Sequence, residues 1–342
     1  MNLRNLFFAL LVLPISAQNL PPRQVPARTI PVPEDVSPQM QRLIAEPIHI
    51  DDSPSPKTPE EWRQYLRPGD EHEAKHASEL ARRLRVSVTP GVIAGVHVFY
   101  VNPELVPEHN GHRLMMHVHG GGYVSFRGMA ATSEAILMAH FAGIEIVSVD
   151  YRMPPDAAFP AAVDDAVAVW KELIKSHNPR STGLFGTSAG GGLTLATVLR
   201  LKELGEPLPG ALMAGTPWAD LTKTGDTEYT NQFIDNVLVR YEGGLQAAAR
   251  LYAGSHDLKE PLISPVYGDL SGFPPTVLIS GTRDLFLSDT ARVHQKLLQA
   301  GVDAQLLVLE GQSHAQYLDI DAPESQAAWA EIAEFLDRHL DR

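Results

Sequence analysis

The stretch Gly186-Thr187-Ser188-Ala189-Gly190 constrains the chain more than any other. A short apolar run, 182–185, precedes it, and Gly191, Gly192 and a helical pattern over 193–201 follow. The order is therefore strand, tight turn, helix, with a serine at the turn. That is the setting a Gly-x-Ser-x-Gly nucleophile elbow needs. Such a turn holds the serine backbone in a strained region. Gly186 and Gly190 carry no Cβ, so strand and helix can approach closely around it. Ser188 Oγ then projects above a sheet, and the amides that open the helix face any negative charge forming beside it. A glycine-rich turn without chemistry reads the same way locally, so the rest of the chain decides.

Beyond Pro90 the chain alternates strands and helices. Apolar strand runs are expected at 92–101, 113–118, 144–149, 182–185, 211–214, 276–280 and 305–309, and helices at 130–142, 159–174, 288–300 and 324–340. Continuous apolar strands separated by helices mean an α/β fold, with a mostly parallel sheet covered on both faces. The segment 218–264 breaks this rhythm. It is long, polar and partly helical at 245–252, and reads as an insertion in a domain spanning 90–342. With the helices expected over 60–89 it would cap the sheet's C-terminal edge, where sites in such sheets lie.

The chain's 342 residues are enough for one large domain or one domain with an appendage, and 44% hydrophobic content is ample for a core. A formal net charge of −13 with no basic block argues against a nucleic-acid partner. With no cysteine, disulfides, thiolate nucleophiles and cysteine–zinc sites are excluded. The apolar run 6–15 spans only about 15 Å as a helix, too short for a bilayer. With Ser16-Ala17 behind it, residues 1–17 read as a signal peptide, which implies export and no membrane insertion after cleavage. The proline-dense arm 18–59 is expected to be extended and weakly ordered.

Within 60–89, Asp70 reads as a helix N-cap, and His72-Glu73-Ala74-Lys75-His76 matches the His-Glu-x-x-His zinc pattern. No third ligand follows, and Glu71 and Lys75 make the segment solvent-like, so no metal is expected. His72 and His76, one turn apart, share a face with Leu80 and Leu84 that is expected to turn towards the sheet or the cap.

A serine nucleophile needs a base, an acid that orients the base, and oxyanion donors. After the strand at 113–118 comes His119-Gly120-Gly121-Gly122-Tyr123, whose glycines leave backbone N–H groups free to face a ligand. Asp284 lies just past the strand at 276–280, in Gly281-Thr282-Arg283-Asp284. Most of the other histidines lie on helices or in the N-terminal arm; His314 lies in the loop directly after the last strand. The order Ser188, Asp284, His314 at strand ends is that of an α/β-hydrolase. Asp289, in the helix that follows Asp284, reads as an ordinary surface carboxylate.

These motifs, together with Asp150-Tyr151-Arg152-Met153-Pro154-Pro155-Asp156, Phe159-Pro160-Ala161-Ala162 and Leu262-Ile263-Ser264-Pro265, resemble the hormone-sensitive-lipase-like family of α/β-hydrolases, also called bacterial family IV esterases. Thr187 stands where the family more often has Asp, and resembles its Gly-Thr-Ser-Ala-Gly branch. The resemblance covers about residues 60–340. It implies a catalytic triad of Ser188, Asp284 and His314, an oxyanion hole from the amides of Gly121, Gly122 and Ala189, and Asp150 and Arg152 supporting the glycine loop. It implies a serine carboxylesterase for small short-chain esters that requires no cofactor, and allows a homodimer through the strand at 305–309. Two rival readings are a zinc hydrolase using His72 and His76 and a catalytically inactive ligand-binding protein on the same fold. The latter would lack the base that His314 supplies.

Overall fold

A computed structural model describes residues 22–341, so the expected signal peptide lies outside the described residues. Residues 22–31 hold no helix or strand and are exposed throughout. The remainder of the arm is not uniformly extended. Ser37 caps helix α1, Pro38–Ala45, accepting from the Met40 N–H at 3.1 Å, with Pro38 in the first turn. Met40 and Ile44 are buried in a small cluster with Ala322, and this packing overrides the proline-rich composition.

Helix α2, Pro59–Leu84, opens on a capping box between Thr58 and Glu61 and ends at Arg85 in the left-handed region. It runs unbroken through Pro68, so Asp70 does not begin a new helix. The Asp70 carboxylate instead accepts from the Phe126 N–H at 2.6 Å and faces Arg127 at 3.5 Å. Trp62 and Leu66 face one side of the core; Ala77, Leu80 and Ala81 face the other. The second half of α2 thus packs on the body of the fold.

Eight strands form one sheet: β1 Val86–Ile93, β2 Val96–Pro103, β3 Leu114–Val118, β4 Glu145–Val149, β5 Thr182–Thr187, β6 Ala211–Gly215, β7 Thr276–Gly281 and β8 Ala304–Leu309, in the order β1-β2-β4-β3-β5-β6-β7-β8. The single strand expected at 92–101 is two. Ala94 and Gly95, both at positive φ (52° and 83°), make a two-residue turn that pairs Ile93 with Val96. β1, β2 and β4 pair antiparallel, and every pair from β4 to β8 is parallel.

The remaining helices are α3 Ser133–Ala142, α4 Ala161–Leu173, α5 Ala189–Leu204, α6 Thr227–Thr230, α7 Gly244–Ala253, α8 Leu287–Gln299 and α9 Pro323–His339. The chain packs a large core on each sheet face. Leu114, Met116 and Val118 join Trp170 of α4 on one, and Met115 joins Trp329 of α9 on the other. Burial on both faces is why the parallel strands read as unbroken apolar runs. The β6–β7 connection carries α6 and α7, the insertion expected at 218–264.

Candidate active site

Ser188 stands between β5 and α5 with φ 62° and ψ −124°, and is half-buried. Few L residues adopt such a backbone, and here its neighbours impose it. The Ser188 N–H donates to Gly215 O at 2.8 Å, and its carbonyl accepts from Gly192 at 3.0 Å and Trp218 at 2.8 Å. The flanking glycines are sterically required. A Cβ on Gly186 or on Gly190 would lie 2.1 Å from Val118 O, at the end of β3. Beneath the turn, the Thr187 hydroxyl donates to Glu134 of α3 at 2.5 Å and is bonded to the Tyr317 hydroxyl; Glu134 also meets His117 Nε2 at 3.1 Å.

The two other members expected of a triad come together. Asp284 is fully buried and His314 nearly so, and His314 Nδ1 lies 3.0 Å from Asp284 Oδ1. A carboxylate can only accept, so Nδ1 carries the proton and Nε2 is left with the lone pair. Thr216 Oγ1 lies 2.6 Å from the same Nδ1 and shares that proton. Asp284 is itself held by Ser280 Oγ at 2.6 Å and the Phe286 N–H at 2.9 Å. The Phe286 ring stands edge-on to His314, centroids 5.0 Å apart. Thr216 and Ser280 are absent from the sequence reading. Ser280, a hydroxyl inside the apolar strand β7, was a readable signal; Thr216, in a left-handed conformation at φ 31°, was not.

The glycine loop lies beside Ser188, a Cβ on Gly120 meeting Ser188 Cβ at 3.4 Å. Gly121 (φ 92°) and Gly122 (φ 61°) turn the chain there. Among the described residues, the amides of Gly121, Gly122 and Ala189 have no protein acceptor. The loop is braced mainly by groups other than those the resemblance implied. The Tyr151 hydroxyl donates to His119 O at 2.7 Å, and its ring stacks on His119 at 4.1 Å. Burial pushes His119 down to about 3, so the ring is neutral and donates Nδ1–H to Gly120 O at 2.8 Å. Asp150 accepts from Gly128 at 3.0 Å, further along the loop. Arg152 turns away to Asp165 of α4, at 2.7 Å, so it does not support the glycines.

Two further expectations are corrected. Asp289 is no surface carboxylate: it is fully buried and accepts from the Ala219 and Asp220 amides at 3.1 and 2.8 Å. Burial holds its carboxyl well above the usual range. It pins the chain after β6, which presents Trp218 to the site. Leu80 is buried and Leu84 packs against the core as expected, but His72 and His76 are both exposed, and Glu73 between them accepts from Ser133. Four-residue spacing put the buried face of α2 about one residue, or ~100°, out of place at the histidines: Ala77 and Ala81 take the buried positions beside Leu80.

The family model for the α/β-hydrolase fold matches residues 115–318, from β3 through His314. The chain belongs to that family. This hydrolase is 32% identical over 256 residues to an esterase of Acinetobacter venetianus, covering 73% of this chain and 82% of the relative. It is 33% identical over 218 residues to an acetyl-hydrolase of Streptomyces hygroscopicus, covering 63% of this chain and 72% of the relative. Among solved structures, esterase E25 matches the hydrolase at 46% identity with a TM-score of 0.91, over 93% of this chain and 99% of that one. An esterase from the bacterial hormone-sensitive lipase family matches at 29% identity and a TM-score of 0.76, over 89% of this chain and 99% of that one.

Proposed function

We propose that this hydrolase is a serine carboxylesterase for short-chain esters, with Ser188, His314 and Asp284 as its triad. The observation that carries this is the 3.0 Å contact of His314 Nδ1 with buried Asp284, at the sheet edge where Ser188 sits on its strained turn. His314 Nε2 takes the Ser188 proton as Oγ attacks the ester carbonyl. Asp284 holds the ring in the Nδ1–H tautomer and stabilises the imidazolium. The amides of Gly121, Gly122 and Ala189 receive the oxyanion. Collapse of the tetrahedral intermediate breaks the ester C–O bond, and His314 protonates the departing alcohol. Water then repeats the sequence on the acyl-enzyme, releasing the acid and freeing Ser188.

The short-chain preference draws on the names of the relatives and on the walls of the site. Trp218 stacks on Phe286 at 5.4 Å, and a Cβ on Gly122 would come within 3.9 Å of the Trp218 ring. Both rings are fully buried, and we place the limit to acyl length on this packed aromatic side of the glycine loop. A soluble butyrate ester is expected to turn over faster than a long-chain triglyceride emulsion. The reverse order of rates would refute the preference.

We infer as well that the chain is exported without residues 1–17 and pairs with a second copy through β8. That strand ends the sheet and exposes Val308, and unpaired strand edges invite pairing. Native mass spectrometry of protein from its own host is expected to show two processed chains. A full-length chain would overturn the first inference, and a monomer the second.

A further inference from the structure

The loop between α6 and α7 reaches from the insertion to the backbone of both triad-bearing loops. Asp235 is fully buried. Its Oδ2 accepts from the Leu285 N–H at 2.8 Å, one residue past Asp284, and from the His314 N–H at 3.4 Å. Its Oδ1 accepts from the Val237 and Leu238 amides at 2.8 and 3.0 Å, which closes its own turn. On the same stretch, Asn231 Nδ2 donates to Thr282 O at 3.2 Å and Asp284 O at 2.9 Å, and the Asn236 N–H donates to Ser313 Oγ at 3.2 Å. The outer end of the loop is tied down too: Asn236 Nδ2 donates to Leu43 O of α1 at 2.8 Å, and Gln316 Nε2 donates to Asn236 Oδ1 at 3.1 Å.

We propose that Asp235 is a positioning residue: one carboxylate, supplied by the insertion, joins the acid loop to the base loop and sets the alignment of Asp284 with His314. The inference rests on the triad reading above. It goes beyond packing because the group is costly where it stands. Burial and the neighbouring Asp284 charge push the Asp235 carboxyl up, while His314 and the Leu238 and Leu285 amides pull it back down. A buried carboxylate held beside a second one is a poor way to fill space. Two of its four N–H partners, Leu285 and His314, lie on the loops that carry the acid and the base; the other two, Val237 and Leu238, fix its own turn between them. Asp235 touches no substrate and acts only through the loops that carry Asp284 and His314.

The test is Asp235→Asn, which keeps the shape but has an oxygen for only one of the two pairs of amides. Activity is read per active site, counted by titration with an organophosphate, so that unfolded chain does not enter. The expected result is a fall in kcat of about 10-fold or more, with KM changed less than about 2-fold. The rate constant for labelling Ser188 should fall by the same factor as kcat, since both depend on the aligned base. A purely structural role would lower the yield of titratable sites and leave both rates per site at wild-type values; that result overturns the proposal. If Asp235→Asn does not fold, Asn231→Ala decides, because it removes only the ties to Thr282 and Asp284. A smaller loss in kcat at unchanged KM is then expected, and a wild-type kcat overturns the proposal. Ser188→Ala run in parallel separates the two claims. An active Ser188→Ala enzyme sinks the triad reading itself; an inactive one beside a fully active Asp235→Asn enzyme sinks only the positioning role.

Discussion

Ser188→Ala is expected to lower kcat on a soluble ester by about 10⁴ or more, because members of a triad act as a unit. The turn should survive the change. Its conformation is imposed by the Gly215, Gly192 and Trp218 backbone and by the close packing of Gly186 and Gly190 on Val118, none of which needs the hydroxyl. Alanine carries the same φ penalty as serine, so stability should move little while chemistry is lost. The residual rate would come from the oxyanion donors and binding alone. An initial-rate assay with a melting curve checks both halves. More than a tenth of wild-type kcat in a folded protein would remove Ser188 from the mechanism.

Gly122→Val is expected to cost about 10² or more in kcat through loss of an oxyanion donor. Two effects combine. At φ 61° a β-branched residue is strained, by about 1–3 kcal/mol. The Cβ itself would fit, 3.9 Å from Ala248 and from Trp218, but γ-methyl groups extend further into both. Relief comes by moving the loop, and the Gly121 and Gly122 amides move with it. Gly122→Ala separates the terms, since it brings the strain without the γ-methyl collision and should be much milder. Equal activity of Gly122→Val and wild type would rule these amides out as oxyanion donors.

The parts of the site that sequence could reach are those whose cause is local. Gly186 and Gly190 are glycines because β3 passes 2.1 Å from where their Cβ atoms would be, and that requirement is written in the motif itself. Asp284 and His314 were legible because each follows an apolar strand, and strand ends in a parallel sheet converge on one edge. Both could therefore be proposed as partners of Ser188, although Asp284 meets His314 across 3.0 Å only in the folded chain. What sequence missed depends on long-range packing. Asp289 lies on a helix whose first turn carries polar residues, and only the fold shows it buried against Ala219 and Asp220. His72 and His76 sit on a mixed-polarity helix, where the buried stripe is set by what α2 packs on. Asp235 belongs to a polar loop with no motif, and its role comes entirely from the two distant loops it reaches. The Ala94-Gly95 turn was readable, since Gly at the second position of a two-residue hairpin loop is a strong signal, but the apolar run around it masked the break.

One measurement bears most directly on the central claim that Ser188 is an activated nucleophile. The folded chain is treated with a serine-directed organophosphate, activity is followed to completion, and the labelled peptide is mapped by mass spectrometry. The expected result is one phosphoryl group per chain, on Ser188, with activity lost in proportion to labelling and no label on Ser188→Ala. An enzyme that stays active with the reagent in excess, or one silenced by a label on another residue, would contradict it.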